Sequence, residues 1–206
     1  MNLQTGREGM ESNNKIKIVL GTNNKHKLAE IKEIAKDYDI EFILPGDDFN
    51  PEETGENFEQ NSYIKAYAAA KLTACIALAD DSGLCVEALN GEPGIFSARY
   101  AETQQKRINK LLKNLADKDN RKAKFVCDMT LVDETGNIIN HEIGECHGQI
   151  AKLQSGVNGF GYDPIFVPDG YNITMADMSE DLKNSISHRA VALQKMLEYI
   201  KNSLII

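Results

Sequence analysis

Residues 76–83 read Ile76-Ala77-Leu78-Ala79-Asp80-Asp81-Ser82-Gly83, four aliphatic side chains running straight into two adjacent carboxylates. Such a run predicts a buried strand that ends in a charged turn. In an open α/β sheet, ligands bind beyond the carboxyl ends of the strands, so two acids at that place point to a metal or catalytic site. A polar turn in which Asp80 or Asp81 caps the next element would use the same residues, because Asp and Ser are ordinary turn formers.

Upstream, Lys15 to Gly21 (KIKIVLG) alternates and then becomes continuously apolar, as a strand buried on both faces does. It breaks at Thr22-Asn23-Asn24-Lys25-His26-Lys27, after which Leu28, Ile31, Ile34, Ala35 and Tyr38 recur at helical spacing. The hexapeptide is therefore a strand-to-helix loop, with Asn23 or Asn24 as N-cap. Lys25, His26 and Lys27 crowd the positive end of this helix and Asp37 and Asp39 its negative end, each placement costing about 0.3–1 kcal/mol. A bound anion would offset that cost. First-turn N–H groups together with lysines suit a phosphate, although no G-x-x-x-x-G-K-[ST] loop is present. A short strand is expected at Glu41 to Leu44, then an acidic segment containing Glu52-Glu53, then a long helix over about 57–74. Its apolar stripe reads as Phe58, Ile64, Tyr67, Ala68 and Leu72, with Lys65 beside it, either at the margin of a core or reaching into a cleft.

Downstream, Leu84 to Leu89 and the turn Asn90 to Gly94 precede a helix over about 103–115, spaced by Ile108, Leu111, Leu112 and Leu115. Lys122 to Asp133 and Asn137 to Ile150 flank Glu134-Thr135-Gly136, a hairpin signal. The pattern changes from β-then-α units to an antiparallel pair. The expected fold is α/β, an elongated mixed sheet in two lobes with a central cleft. Near the end, Asn158-Gly159-Phe160-Gly161-Tyr162-Asp163-Pro164 places glycines on both sides of an aromatic ring, which lets ring and backbone approach a ligand or simply anchors a tight turn. Ser187 is an N-cap for a helix carrying Leu193, Leu197 and Ile200, and His188 and Arg189 again occupy a first turn where the dipole disfavours cations. Two helices with the same inverted charges are most simply explained by one shared anion.

Composition bounds the function. At 206 residues the chain suffices for one sizeable core, and a net charge of −8 argues against gripping duplex nucleic acid. No apolar run reaches the roughly 18–20 residues that span a bilayer, and no secretory leader is visible, so a cytoplasmic protein is expected. Cys75, Cys85, Cys127 and Cys146 are widely spaced, with no C-x-x-C pair, and read as buried hydrophobes in a reducing compartment. Residues 1–14 (MNLQTGREGMESNN) are polar and aperiodic, a flexible extension preceding a single domain over 15–206.

Carboxylates at Glu52, Glu53, Asp80 and Asp81, cations at Lys27, Lys65, Lys183, His188 and Arg189, and the Phe160 ring together describe a metal-dependent nucleotide enzyme better than a metal-free hydrolase, carboxylates and phosphate oxygens being the usual holders of Mg²⁺. Thr22, Asn24 and Lys27 in T-x-N-x-x-K, then E-E-T-G, A-D-D-S-G-L, P-G-I-x-S-A-R-Y, G-F-G-Y-D-P and K-x-x-I-S-H-R follow one another in order. This series closely resembles the inosine/xanthosine triphosphate pyrophosphatase family over about residues 15–200, departing from it at Asn158, where a glycine is expected. The resemblance implies Mg²⁺-dependent hydrolysis of non-canonical purine nucleoside triphosphates (ITP, dITP, XTP) to monophosphate and pyrophosphate by a homodimer with a nucleotide cleft. It implies Asp81 as catalytic acid-base group and metal ligand, with Glu52 or Glu53 as the other metal carboxylate. It further implies that Thr22, Asn23, Asn24, Lys25, His26 and Lys27 cradle phosphates with Lys65 and Ser82 nearby. Phe160, Gly161, Tyr162, Asp163, Lys183, His188 and Arg189 would hold base and sugar. Asp80 is left as a supporting residue. An aspartyl-phosphate phosphatase is disfavoured because its strand end needs D-x-D. A regulator that binds without turnover would have no evident use for the acids.

Overall fold

A computed structural model describes residues 15–204; the expected extension over 1–14 lies outside them. The elements in order are β1 (Ile16–Leu20), α1 (Lys25–Ile34), β2 (Ile40–Ile43), α2 (Phe58–Thr73), β3 (Ala77–Val86), α3 (Gln104–Asn114), β4 (Lys122–Val132), β5 (Ile138–Ile150), β6 (Phe166–Pro168), α4 (Glu180–Ile186) and α5 (His188–Ser203). The strands form one six-stranded sheet in the order β2-β1-β3-β4-β5-β6. β1 pairs in parallel with β2 and β3, while β3, β4, β5 and β6 pair antiparallel, so the sheet is mixed as expected. The antiparallel strands continue the same sheet through β3 instead of forming a sheet of their own.

The reading of residues 76–83 as a strand ending in a turn is corrected. β3 runs without interruption through Asp80, Asp81, Ser82 and Gly83, because every one of its residues from Ala77 to Val86 has a partner on β4. Ladder pairing along a long neighbour outweighs the turn preference of Asp, Ser and Gly. On the other side, β1 pairs with β3 only at Val19↔Ala77 and Leu20↔Leu78. β3 therefore projects past the carboxyl end of β1, and that open flank is where the two acids stand.

Alternation along β3 distributes its side chains between two layers. Leu78 joins Ile18, Leu20, Met129 and the α5 residues Leu193 and Leu197 in one cluster, and Leu84 and Val86, on the same face, join Ile108, Leu111 and Phe166 in a second. Asp80 and Ser82 lie between these clusters, so that face of the sheet carries two apolar patches separated by a polar gap. The opposite face holds Ala77 and Ala79 against Ala66, Ala69 and Ala70 of α2, whose small side chains bring helix and sheet close together.

Two helix readings also change. α1 ends at Ile34, leaving Asp37 and Asp39 beyond it, and Lys32 in its last turn suits the dipole. On α2 the buried face is Asn61, Ser62, Lys65, Ala66, Ala69 and Ala70, whereas Tyr67 and Leu72 of the expected stripe are 41% and 49% exposed. Size misled: the face that docks is the one with small and hydrogen-bonding residues.

Candidate active site

A cleft of about 510 Å³ opens over the carboxyl end of β1, lined by the β1–α1 loop, Glu53, α2, β3, the 3-10 segment Gly94–Arg99, the 160–163 loop, Lys183 of α4 and the start of α5. Asp81 lines it, and the neighbouring Asp80 faces the opposite way. Asp81 turns toward α2, where Lys65 Nζ donates to its Oδ1 at 2.9 Å and Asn61 Nδ2 to its Oδ2 at 3.3 Å. Asp80 turns toward α1 and α5, where Oδ2 accepts from Lys27 Nζ at 2.9 Å, Ser82 Oγ at 2.7 Å and Arg189 Nη2 at 3.3 Å.

Their electrostatics differ accordingly. Burial works against the charge on Asp80, but Lys27, Arg189 and Lys65 outweigh it and hold the carboxyl well below the usual range. Burial also dominates at Asp81, and there Lys65 offsets it only in part while Glu53 adds to it, so its pKa is raised. Asp80 is a fixed anion. Asp81 lines the cleft with heightened proton affinity, the property a general base needs.

The anion expected to be shared by the two inverted helices is, in part, Asp80 itself. Lys27 and Arg189 both end on it, and Arg189 Nη1 also donates to Glu30 Oε2 at 2.5 Å. Asn24 is the N-cap of α1, and its Oδ1 takes the N–H groups of His26 and Lys27 at 2.9 and 3.3 Å. Those two donors, expected to meet phosphate, are therefore already used, and the side chains carry the positive charge. Ser187 caps α5 as expected, accepting from the Ala190 N–H at 3.1 Å.

Lys65 lies on the buried face of α2, and its Nζ bridges Asp81 and Glu53, with Glu53 Oε1 at 2.8 Å. Burial would lower the Lys65 pKa, but the surrounding carboxylates Asp81, Asp80 and Glu53 raise it. Burial would raise Glu53, yet Lys65 and Arg99 bring it down. Glu53 lines the cleft, and Glu52 is exposed outside its lining. Thr22, Asn23, Asn24, His26, Lys27 and Ser82 all line the cleft; Lys25 is exposed and does not.

At the other end, Asp163 Oδ2 accepts from the Phe160 N–H and from Lys183 Nζ, each at 2.8 Å, which fixes the loop and sets Lys183 Nζ 4.6 Å from the Phe160 ring centroid. Gly159 is required here: its φ is +72°, and a Cβ would fall 2.1 Å from Asp163 Oδ2. Asn158, the departure from the expected glycine, anchors the same loop through Nδ2 to the Met178 carbonyl at 3.0 Å. Tyr162 is buried with its hydroxyl on the Ser97 carbonyl at 3.0 Å, a structural bond that braces the loop against Gly94–Arg99. His188 stacks on Phe125 at 4.8 Å, and burial beside Arg189 drives its pKa well down, leaving a neutral ring. Its Nδ1 and the Nε of Arg189 are buried polar atoms without a partner among the described residues.

Asn61, Glu30 and Arg99 were not singled out from the sequence. Asn61 stands four residues before Lys65 and Glu30 three after Lys27, the helical spacing of same-face partners. Arg99 closes the S-A-R-Y motif and sits 3.5 Å from Glu53.

The Ham1 family profile matches residues 18–199. The chain belongs to the Ham1 family. Among Ham1 relatives, the protein from Aquifex aeolicus named dITP/XTP pyrophosphatase is 42% identical over 199 residues, spanning 91% of this chain and 98% of its own. A protein of the same name from Clostridium perfringens is 42% identical over 203 residues, with 91% and 98% covered. The solved HAM1 protein of Coxiella burnetii superimposes with a TM-score of 0.82 at 43% identity, over 91% of this chain and all of the other. The Ham1 protein of Staphylococcus aureus gives 0.81 at 41%, over 90% and 98%. The mixed α/β sheet described above is thus the Ham1 fold.

Proposed function

We propose that the protein hydrolyses the non-canonical purine nucleoside triphosphates ITP, dITP and XTP to the monophosphate and pyrophosphate, with Mg²⁺, and so removes them from the nucleotide pool. The observation that carries this reading is the cleft itself. A carboxylate of raised proton affinity, Asp81, stands among Lys65, Lys27 and Glu53, with an aromatic ring, Phe160, on the same cleft's wall. The names of the Ham1 relatives agree with it.

The donor set suits Mg²⁺. Glu53 and Asp81 converge on one ammonium, and two carboxylates completed by substrate phosphates and water are the usual holders of this ion. When bound, the ion neutralises phosphate charge. Asp81 accepts a proton from the attacking water. Lys65 and Lys27 oppose the charge that grows on the leaving pyrophosphate, so much of the rate comes from positioned electrostatics.

At the base end, Phe160 supplies a stacking surface. The Phe160 N–H already serves Asp163, whereas the Arg189 guanidinium, which lines the cleft, carries more N–H groups than Glu30 and Asp80 accept, so it is the donor we assign to face a 6-oxo group. An adenine amino group placed there would leave that buried donor unpaired, at about 1–3 kcal/mol. The proposal also includes a homodimer in the cytoplasm, decided by sedimentation velocity and by cell fractionation; no helix among the described residues is long and apolar enough to cross a membrane. Substrate selection is tested by comparing kcat/KM for ITP, dITP and XTP with that for ATP. We expect ATP to be at least tenfold poorer, and equal values would remove the reading.

A further inference from the structure

His26 stands in the first turn of α1 and Phe160 in the loop before Asp163, segments remote in sequence whose rings meet across the cleft. Their centroids are 6.4 Å apart and their planes differ by 27°. A flat heteroaromatic base in van der Waals contact with a ring on each side needs the two rings about 7 Å apart, twice the ~3.5 Å contact distance. The observed gap is within about 1 Å of that spacing.

The two walls are built differently. Phe160 is held rigidly, its N–H on Asp163 Oδ2 at 2.8 Å and its ring under Lys183. His26 is fixed only through its backbone, whose N–H donates to Asn24 Oδ1 at 2.9 Å, and its exposed side chain is free to change rotamer. Lys27, the next residue, points instead to Asp80. The first turn of α1 therefore divides its side chains, one toward Asp80 and one toward the aromatic wall.

We infer that His26 and Phe160 are the two walls of a slot that takes the purine base of the nucleotide, His26 being the movable wall. This rests on the proposed function, and it reassigns His26 from phosphate to base. A ring on each face serves any purine, so the slot contributes affinity for the base as a class while its polar edge is read elsewhere.

The test is calorimetric titration of inosine monophosphate and, separately, of pyrophosphate into the wild type and the variants His26→Ala, His26→Tyr and His26→Lys. The slot predicts that His26→Ala weakens inosine monophosphate about tenfold, within the range found when an aromatic partner of a base is truncated. Pyrophosphate affinity stays within twofold. His26→Tyr, which supplies a ring and no charge, restores the monophosphate; His26→Lys, which supplies charge and no ring, does not. Unchanged monophosphate affinity in His26→Ala, a parallel loss for pyrophosphate, or restoration by Lys and not by Tyr would each overturn the slot. Wild-type protein that fails to cleave ITP removes the proposed function, whereas an active His26→Ala with unaltered monophosphate binding removes only the slot.

Discussion

Asp80 and Asp81 are consecutive residues of one strand, yet neutralising them should produce opposite phenotypes. The Asp80 side chain is 3% exposed and faces Arg189, 2% exposed, and Lys27, 16% exposed. Removing its charge leaves Lys27 without its counterion and Arg189 with Glu30 alone. Breaking a buried pair costs about 3–5 kcal/mol, and Asp80→Asn, which retains an oxygen for Lys27 and Ser82, should fall at the lower end. With a urea slope of at most about 3 kcal/mol/M, the unfolding midpoint drops by about 1 M or more. Asp81 differs because burial already disfavours its charge and Lys65 keeps Glu53 as a partner. Asp81→Asn should change stability by less than about 1 kcal/mol and largely abolish turnover. The pH dependence separates them further. The folded pKa of Asp80 lies below its unfolded value, so its contribution is complete above about pH 4 and disappears as pH falls through the folded pKa. The stabilities of wild type and Asp80→Asn should therefore converge in strong acid. Equilibrium urea unfolding between neutral and acid pH, with an ITP rate measured on each protein, tests both halves. An Asp80→Asn protein as stable as wild type, or an Asp81→Asn protein with near-normal rate, would refute the division of labour.

Two further outcomes follow from the cleft. Glu53→Gln should weaken activation by Mg²⁺ severalfold or more, and Glu52→Gln should not, since only Glu53 lines the cleft; equal effects in a Mg²⁺ titration of the rate would undo that choice. Lys65 lowers the pKa of Asp81 against burial, so Lys65→Gln should reduce turnover and move the acid limb of the kcat/KM profile to higher pH. The sign is fixed by chemistry: an ionised Asp81 is required, and without Lys65 it takes up its proton at a higher pH. An acid limb that stays in place or moves down would show that another group limits the rate.

Most of the secondary structure is legible from periodicity and capping. The β4–β5 hairpin, an asparagine cap at 23 or 24, the Ser187 cap and the buried strand at Lys15 to Gly21 are carried by local patterns that the tertiary structure does not contradict. Where tertiary pairing overrides local preference, the sequence misleads. Asp80 to Gly83 look like a turn because no local signal shows that β4 lies alongside. α2 misleads for a related reason: Asn61, Ser62 and Lys65 are polar, but their partners Asp81, Asp128 and Glu53 are all distant in sequence, so a stripe drawn on hydrophobicity selects Tyr67 and Leu72 instead. α4, seven residues long, is too short to show a period. At the site, the residue types were readable, but the directions of neighbouring acids were not. Strand alternation separates Asp80 from Asp81 only once the strand is known to continue through them.

The central claim is cleavage between the α and β phosphates of a non-canonical purine triphosphate, and its most direct test is the identity of the first products. ITP and Mg²⁺ with purified protein, followed by ³¹P NMR from the first turnovers, should give inosine monophosphate and pyrophosphate in equal amounts and no early diphosphate. Inosine diphosphate with orthophosphate as the first products, or no turnover, would contradict it.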